Sequence, residues 1–246
     1  KPSSAASDVY KRQDNNIRVI SKKSELDIVF EAPKSGSYFI YDSKGLSFII
    51  NADNPKKLLN VNFLTGKLGW RIKRAEHESN LKKALGKTKK SLHIFDATAG
   101  LLADSLIFLS LGHQVVAVEQ SKIIYLLIND AIHRAQDAIS FLRNIKLMNA
   151  NSIDIFTKSD EVFDVVYLDP MYPLMKKNIK KSGELDIVRS ILEIERIPAD
   201  ENSLIDSFIK LDYKKLILKR PLKSEKLYSN INYQVKGKTT RFDIYL

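Results

Sequence analysis

The chain has 246 residues, 44% of them hydrophobic and 28% charged, with a net charge of +11 and a pI near 9.5. No apolar run approaches the roughly 18 residues that span a bilayer, the Ser/Ala/Lys-rich start has no apolar h-region, and the absence of cysteine removes disulfides and thiolate metal sites. The four histidines, His77, His93, His113 and His133, are scattered without HExxH spacing, so no metal is expected, and the basic excess is compatible with a polyanionic partner without requiring one.

Residues 1–13, KPSSAASDVYKRQ, read as a translated sequencing adaptor rather than native protein, and are set aside from the fold. Short β-like runs follow at 26–30, 38–41, 46–51 and 59–63, separated by turn formers at 33–36 and 53–55. They predict a small β-rich N-terminal unit over 14–72. A helix is expected over 75–85, closed by Gly86 as its C-cap.

From Ser91 the pattern becomes strand, helix, strand. Apolar strands are predicted at 92–95, 114–118, 146–148, 164–168 and 215–218, and helices at 105–111, 122–138 and 203–211. The end reads as a hairpin, 232–235 and 241–245, around Gly237. Alternation of this kind predicts an α/β domain over 73–246, with a mostly parallel sheet covered on both faces and a terminal antiparallel hairpin.

Ligands of such sheets bind at the carboxyl ends of the strands, where the strand order reverses. Asp96-Ala97-Thr98-Ala99-Gly100 follows the first strand of the domain, and its small residues allow backbone to approach an adenosine-bearing ligand. No further glycines complete a GxGxxG, which argues against a dinucleotide. Glu119, at the end of the next strand and 23 positions after Asp96, suits the paired hydroxyls of a ribose. Asn149-Ala150-Asn151-Ser152 supplies short polar groups for an adenine edge.

The most specific segment is Asp169-Pro170-Met171-Tyr172-Pro173, after strand 164–168. It belongs to the (D/N)PP(Y/F)-like class found in enzymes that methylate amino groups on planar rings. Such an amine is a poor nucleophile because its lone pair is delocalised into the ring. Asp169 and a neighbouring carbonyl can accept its hydrogens and stabilise the charge that develops, while Tyr172 stacks on the base. Cations for RNA phosphates are expected at Lys176, Lys177, Lys219, Arg220, Lys238 and Arg241.

DATAGLLAD (96–104), VEQS (118–121), VVYLDPMYP (165–173), KRP (219–221) and RFDIY (241–245) together resemble the RsmJ-type 16S rRNA guanine-N2 methyltransferases, in order and spacing, from about Phe63 to the end. The resemblance implies a class I, seven-stranded methyltransferase fold over 73–246 and S-adenosylmethionine as cofactor. It further implies a guanine near the 3′ end of small-subunit rRNA as target, in a bacterial cytoplasm. Ala103 with Asp104, Glu119 with Gln120, Asn151 with Ser152, and Asp169 would then contact the cofactor, beside Asp96, Thr98 and Gly100. The chain departs from the family where Leu102-Ala103 replaces Gly-Arg, where Gln120 replaces Arg, and where 73–77 replaces a glycine-rich, arginine-containing loop. The same residues leave open a methyltransferase acting on DNA adenine or another RNA, and a non-catalytic RNA-binding assembly factor. A nicotinamide-dependent dehydrogenase fits least.

Overall fold

A computed structural model describes residues 17–22, 25–171, 183–198 and 200–246. The chain divides into two compact units at Asn60 and Val61, upstream of the boundary expected at residue 72. The segment 1–13 lies outside the described residues, as do Tyr172, Lys176 and Lys177.

The first unit holds an antiparallel sheet of three strands, β1 (Tyr38–Asp42), β2 (Gly45–Ile49) and β3 (Leu58–Asn60), in the order β1-β2-β3. Its hairpin turn closes where Lys44 N–H donates to Asp42 Oδ1 at 2.7 Å and Gly45 takes φ +90°. Across the strands Phe39 faces Phe48 in register, their rings edge to face at 5.0 Å. The strand expected at 26–30 is absent: these residues form no ladder, and Phe30 is fully exposed. A β-like run needs a neighbour to take its backbone hydrogen bonds, and none is supplied here.

The second unit is built on seven strands: β4 (His93–Asp96), β5 (Gln114–Glu119), β6 (Ile145–Asn149), β7 (Val165–Leu168), β8 (Leu216–Pro221), β9 (Tyr233–Lys236) and β10 (Thr240–Tyr245). Their order is β6-β5-β4-β7-β8-β10-β9. The first five run parallel, and β10 is antiparallel to both of its neighbours. This is the α/β sheet the sequence predicts, with its terminal hairpin. Central strands of a sheet covered on both faces must be apolar on both sides; Val115 to Val118 and Val165 to Leu168 are accordingly all buried. The order reverses between β4 and β7, which opens a crevice at their carboxyl ends.

Among the described residues seven helices flank this sheet or lead into it: α1 (Gly66–Lys73), α2 (Ser79–Leu85), α3 (Ser105–Ser110), α4 (Lys122–Ala135), α5 (Ser152–Lys158), α6 (Gly183–Ile194) and α7 (Glu201–Ile209). Capping side chains start several of them. Ser121 accepts from Ile124 N–H at 3.0 Å and Asp200 from Ser203 N–H at 3.1 Å, each satisfying an orphan donor of the first turn. Beneath one face an aromatic cluster forms the core, with Phe95 5.1 Å from Phe156 and 5.0 Å from Phe163.

The single helix expected over 75–85 is instead a 3₁₀ turn, Ala75–His77, followed by α2. Helix α1 was not anticipated, because Gly66 and Gly69 lower helix propensity. Gly69 has a packing reason: a Cβ there would lie 2.7 Å from the Leu64 carbonyl carbon. The helix is thus closed onto the turn before it. Gly69→Ala is expected to lower stability by about 1–3 kcal/mol through this backbone clash, read as a drop in thermal midpoint; an unchanged midpoint would show that α1 is seated differently.

Candidate active site

Four carboxylates converge where β4, β5 and β7 end. Asp96 is buried and accepts from Thr98 N–H at 3.0 Å and from the Ser105 hydroxyl at 2.5 Å. Thr98 Oγ1 in turn accepts from Asp169 N–H at 2.7 Å, which stitches the loop after β4 to the loop after β7 across the crevice. Glu119 is also buried, its two oxygens held by Gly100 N–H and Ser121 N–H, each at 2.8 Å. Burial pushes both Asp96 and Glu119 up to about 7, because a charge removed from water is disfavoured.

The loop between Gly100 and α3 turns back sharply. Gly100 takes φ +49° and Leu102, a non-glycine, φ +61°. A left-handed non-glycine residue costs on the order of 1 kcal/mol, and Leu102 is fully buried, so side-chain burial offsets the strain. This is the position where the family resemblance expects glycine. The turn delivers Asp104, at the start of α3, to the back of the crevice.

Asp104 anchors a chain of alternating charges. Its Oδ1 meets Arg71 Nη2 at 2.6 Å, while its Oδ2 accepts from the Tyr167 hydroxyl at 2.5 Å and from Lys219 Nζ at 2.7 Å. Lys219 Nζ reaches on to Asp169 Oδ2, also at 2.7 Å. Burial alone would raise the Asp104 carboxyl, but Lys219 and Arg71 outweigh it and hold it at about 2. For Lys219 burial acts downward, and the two carboxylates more than reverse it, keeping the ammonium charged. Asp169 is pushed up to about 6, by burial against the pull of Lys219 and with the Asp104 charge nearby. Its side chain remains 35% exposed, so Asp169 stands at the mouth of the crevice.

The other residues singled out from the sequence divide sharply. Pro170 is buried behind Asp169, and Gln120 is exposed on the rim, its carbonyl accepting from Asn149 Nδ2 at 3.1 Å. Asn151 caps α5, its Oδ1 accepting from Ile153 N–H at 2.9 Å, and Ser152 is buried in the first turn of α5. The Ala103 carbonyl accepts from Arg71 Nη1 at 2.8 Å.

Three of the cations expected to face phosphates do not. Lys219 is held between Asp104 and Asp169. Arg220 is buried. Arg241, paired with it across β8 and β10, is buried as well. The Arg241 guanidinium meets Asp243 at 2.9 Å and donates to the carbonyls of Leu222, Ser224 and Glu225. It therefore clamps the turn after β8. The cause is position: both arginines lie in strands that the terminal hairpin buries. Lys238, beyond the end of β9, is exposed.

Sequence reasoning missed three contributors. Tyr167 carried a signal, since a hydroxyl inside an otherwise apolar buried strand needs a partner. Arg71 carried none, lying in a helix that was not foreseen, yet it brings a guanidinium to the loop before α3. Glu195, just past α6, accepts from the Ser121 hydroxyl and from Ile123 N–H at 3.1 Å, which seats α6 on the first turn of α4. Among the described residues no group of His, Asp and Glu is arranged to hold a metal ion, and no helix is long and apolar enough to cross a membrane.

The family described as "Putative SAM-dependent methyltransferase" matches residues 20–246. The chain is 31% identical to a protein of Thioalkalivibrio sulfidiphilus named ribosomal RNA small subunit methyltransferase J, across 96% of each chain. It is also 31% identical to a protein of the same name from Francisella tularensis subsp. novicida, across 94% of this chain and 98% of that one. Among solved structures it is similar to a SAM-dependent methyltransferase of Neisseria gonorrhoeae, with a TM-score of 0.63 and 26% identity over 94% of this chain and 92% of the other.

Proposed function

The chain belongs to the SAM-dependent methyltransferase family, and on that premise we propose that it methylates the exocyclic N2 amino group of a guanine in 16S ribosomal RNA. The observation that carries the reading is Asp169, placed at the mouth of the crevice directly after β7, stitched to Thr98 and backed by Lys219. The name shared by the 31%-identical relatives, ribosomal RNA small subunit methyltransferase J, supports the RNA as substrate. The 61–246 unit contains every residue of this constellation.

The residues fit S-adenosylmethionine. Its sulfonium and amino groups are cationic, and four carboxylates surround the crevice. Glu119 would hold the ribose hydroxyls, the Asp96–Gly100 loop the methionine portion, and the backbone of Asn151 and Ser152 the adenine edge, the Asn151 side chain being engaged as a cap. Ala103 and Gln120 would line the rim, with Asp104 at the back of the crevice. When bound, the cofactor supplies an electrophilic methyl group.

Asp169 does the substrate side of the chemistry. Its carboxylate accepts one amino hydrogen and the neighbouring Pro170 carbonyl the other, which favours a pyramidal nitrogen whose lone pair is withdrawn from the ring's π system and free to attack. The same negative charge offsets the positive charge that grows on nitrogen. Because Asp169 is partly open to solvent, the surplus proton leaves to water. Tyr172 would stack on the guanine, and Lys176, Lys177 and Lys238 would meet phosphates.

Glu119→Gln is expected to weaken S-adenosylmethionine binding about tenfold to a hundredfold, the range for a hydrogen bond to a charged group, measured by calorimetry. Because the Glu119 carboxyl titrates at about 7, wild-type affinity is expected to fall below neutrality while the variant stays flat. Equal affinities at pH 8 would remove Glu119 from the ribose.

The reaction itself is tested by tritiated methyl transfer to small ribosomal subunits that lack guanine-N2 methylation, followed by nucleoside analysis. N2-methylguanosine at one site is the expected product. Label on another nucleoside would overturn the N2 assignment, and transfer to DNA alone would overturn the RNA.

A further inference from the structure

The chain's single tryptophan, Trp70 on α1, is 63% exposed. A singly exposed ring is not by itself a site; what sets this one apart is the company it keeps. Arg74, one turn along the helix, lays its guanidinium over one face of the ring at 5.0 Å from the centroid. That contact fixes the ring's orientation, and most of the residue's surface stays in solvent. The surroundings are cationic: between Leu64 and Ala75 stand Lys67, Arg71, Lys73 and Arg74, with no acidic residue. Lys67, Lys73 and Arg74 are exposed.

Helix α1 is also fixed to the active site. The neighbouring Arg71 points inward to Asp104 at 2.6 Å and to the Ala103 carbonyl at 2.8 Å, while Gly69 closes the helix onto Leu64. Trp70 is thus an outward ring on a helix pinned to the loop that backs the crevice.

We propose that Trp70, oriented by Arg74, is a stacking platform for an unpaired base of the substrate RNA that flanks the target guanine, with Lys67 and Lys73 taking the adjoining phosphates. An aromatic face among lysines and arginines is the combination that single-stranded RNA uses, stacking supplying attraction that tolerates any base and the cations holding the backbone. A protein partner would call for apolar neighbours around the ring and fewer lysines. The inference rests on the reading of the chain as an RNA methyltransferase.

A single tryptophan makes the test direct. Fluorescence excited selectively over tyrosine is followed as transcribed, unmodified 16S rRNA is added to the full chain with S-adenosylmethionine present. The expected result is quenching by the RNA and none by inorganic polyphosphate. In steady-state assays Trp70→Ala is expected to raise KM for the RNA about 5- to 150-fold, the range that base–aromatic stacking spans, with kcat and cofactor affinity little changed; Trp70→Phe restores part of the loss. Matching quenching by polyphosphate, or by anionic vesicles, would overturn stacking in favour of a plain cationic surface. Unchanged KM in Trp70→Ala, with methyl transfer intact, would overturn the platform and leave the proposed reaction standing. Quenching of wild type by the RNA and not by polyphosphate, with no methyl transfer to it, would uphold the platform and overturn the reaction.

Discussion

Asp169→Ala is expected to lower kcat by about 10²–10³-fold, the loss typical of removing one preorganised group that answers developing charge, while the Kd for S-adenosylmethionine changes far less. The split follows from position. Asp169 stands at the mouth of the crevice with its side chain 35% exposed, whereas the buried carboxylates Asp96 and Glu119 lie deeper, at the ends of β4 and β5. Asp169→Asn should lie between alanine and wild type, because an amide keeps one acceptor and loses the charge. The pH dependence is a second readout. With its carboxyl at about 6, Asp169 is ionised at neutrality and protonated in acid, so kcat/KM should fall about tenfold per pH unit below that value. Asp169→Asn should lack this limb. Turnover near wild type in Asp169→Ala would remove the residue from the chemistry.

Lys219→Met should cost about 3 kcal/mol of stability and a large part of the activity. Deleting the ammonium leaves Asp104, whose side chain is only 5% exposed, without one of its two counter-ions, and breaking a buried pair costs about 3–5 kcal/mol. The lower figure applies because Arg71 still holds Asp104 and the Asp169 end is open to water. The pH window follows from the directions of the shifts. The Asp104 carboxyl is depressed to about 2, so its contribution is full above the ordinary carboxylate value of about 4 and is lost as the pH falls toward 2. The Lys219 ammonium is raised, so its contribution is full below its ordinary value of about 10 and is lost above the folded one. Denaturant melts of wild type and variant should therefore differ most near neutrality and converge as the pH falls from about 4 toward 2. If Lys219 also tunes Asp169, the acid limb of kcat/KM moves to higher pH in the variant. A purely structural lysine would lower the melt and leave that limb in place.

The α/β class, the parallel strands and the loops that carry Asp96, Glu119 and Asp169 were legible in the sequence. Each rests on a local signal: an apolar run too short for a helix, followed by small or acidic residues where the sheet ends. The first unit was less legible, since the run 26–30 has strand-like composition and no partner to pair with. Helix α1 was illegible because the glycine that weakens it locally is the one its packing requires.

What the sequence by itself determined is therefore the α/β fold and the carboxylates that stand at its strand ends, because strand periodicity and the residues that end a strand are local properties. Only the tertiary structure decided which charges face ligand and which face one another. Lys219, Arg220 and Arg241 look alike in the sequence to any exposed cation, and the folded sheet turns one into the bridge between Asp104 and Asp169 and buries the other two. Arg71 reaches Asp104 from 33 residues away, and Tyr167 from 63. A charge's role depends on the partner that meets it and on how much water is left around it, and both are set by contacts that no local pattern encodes.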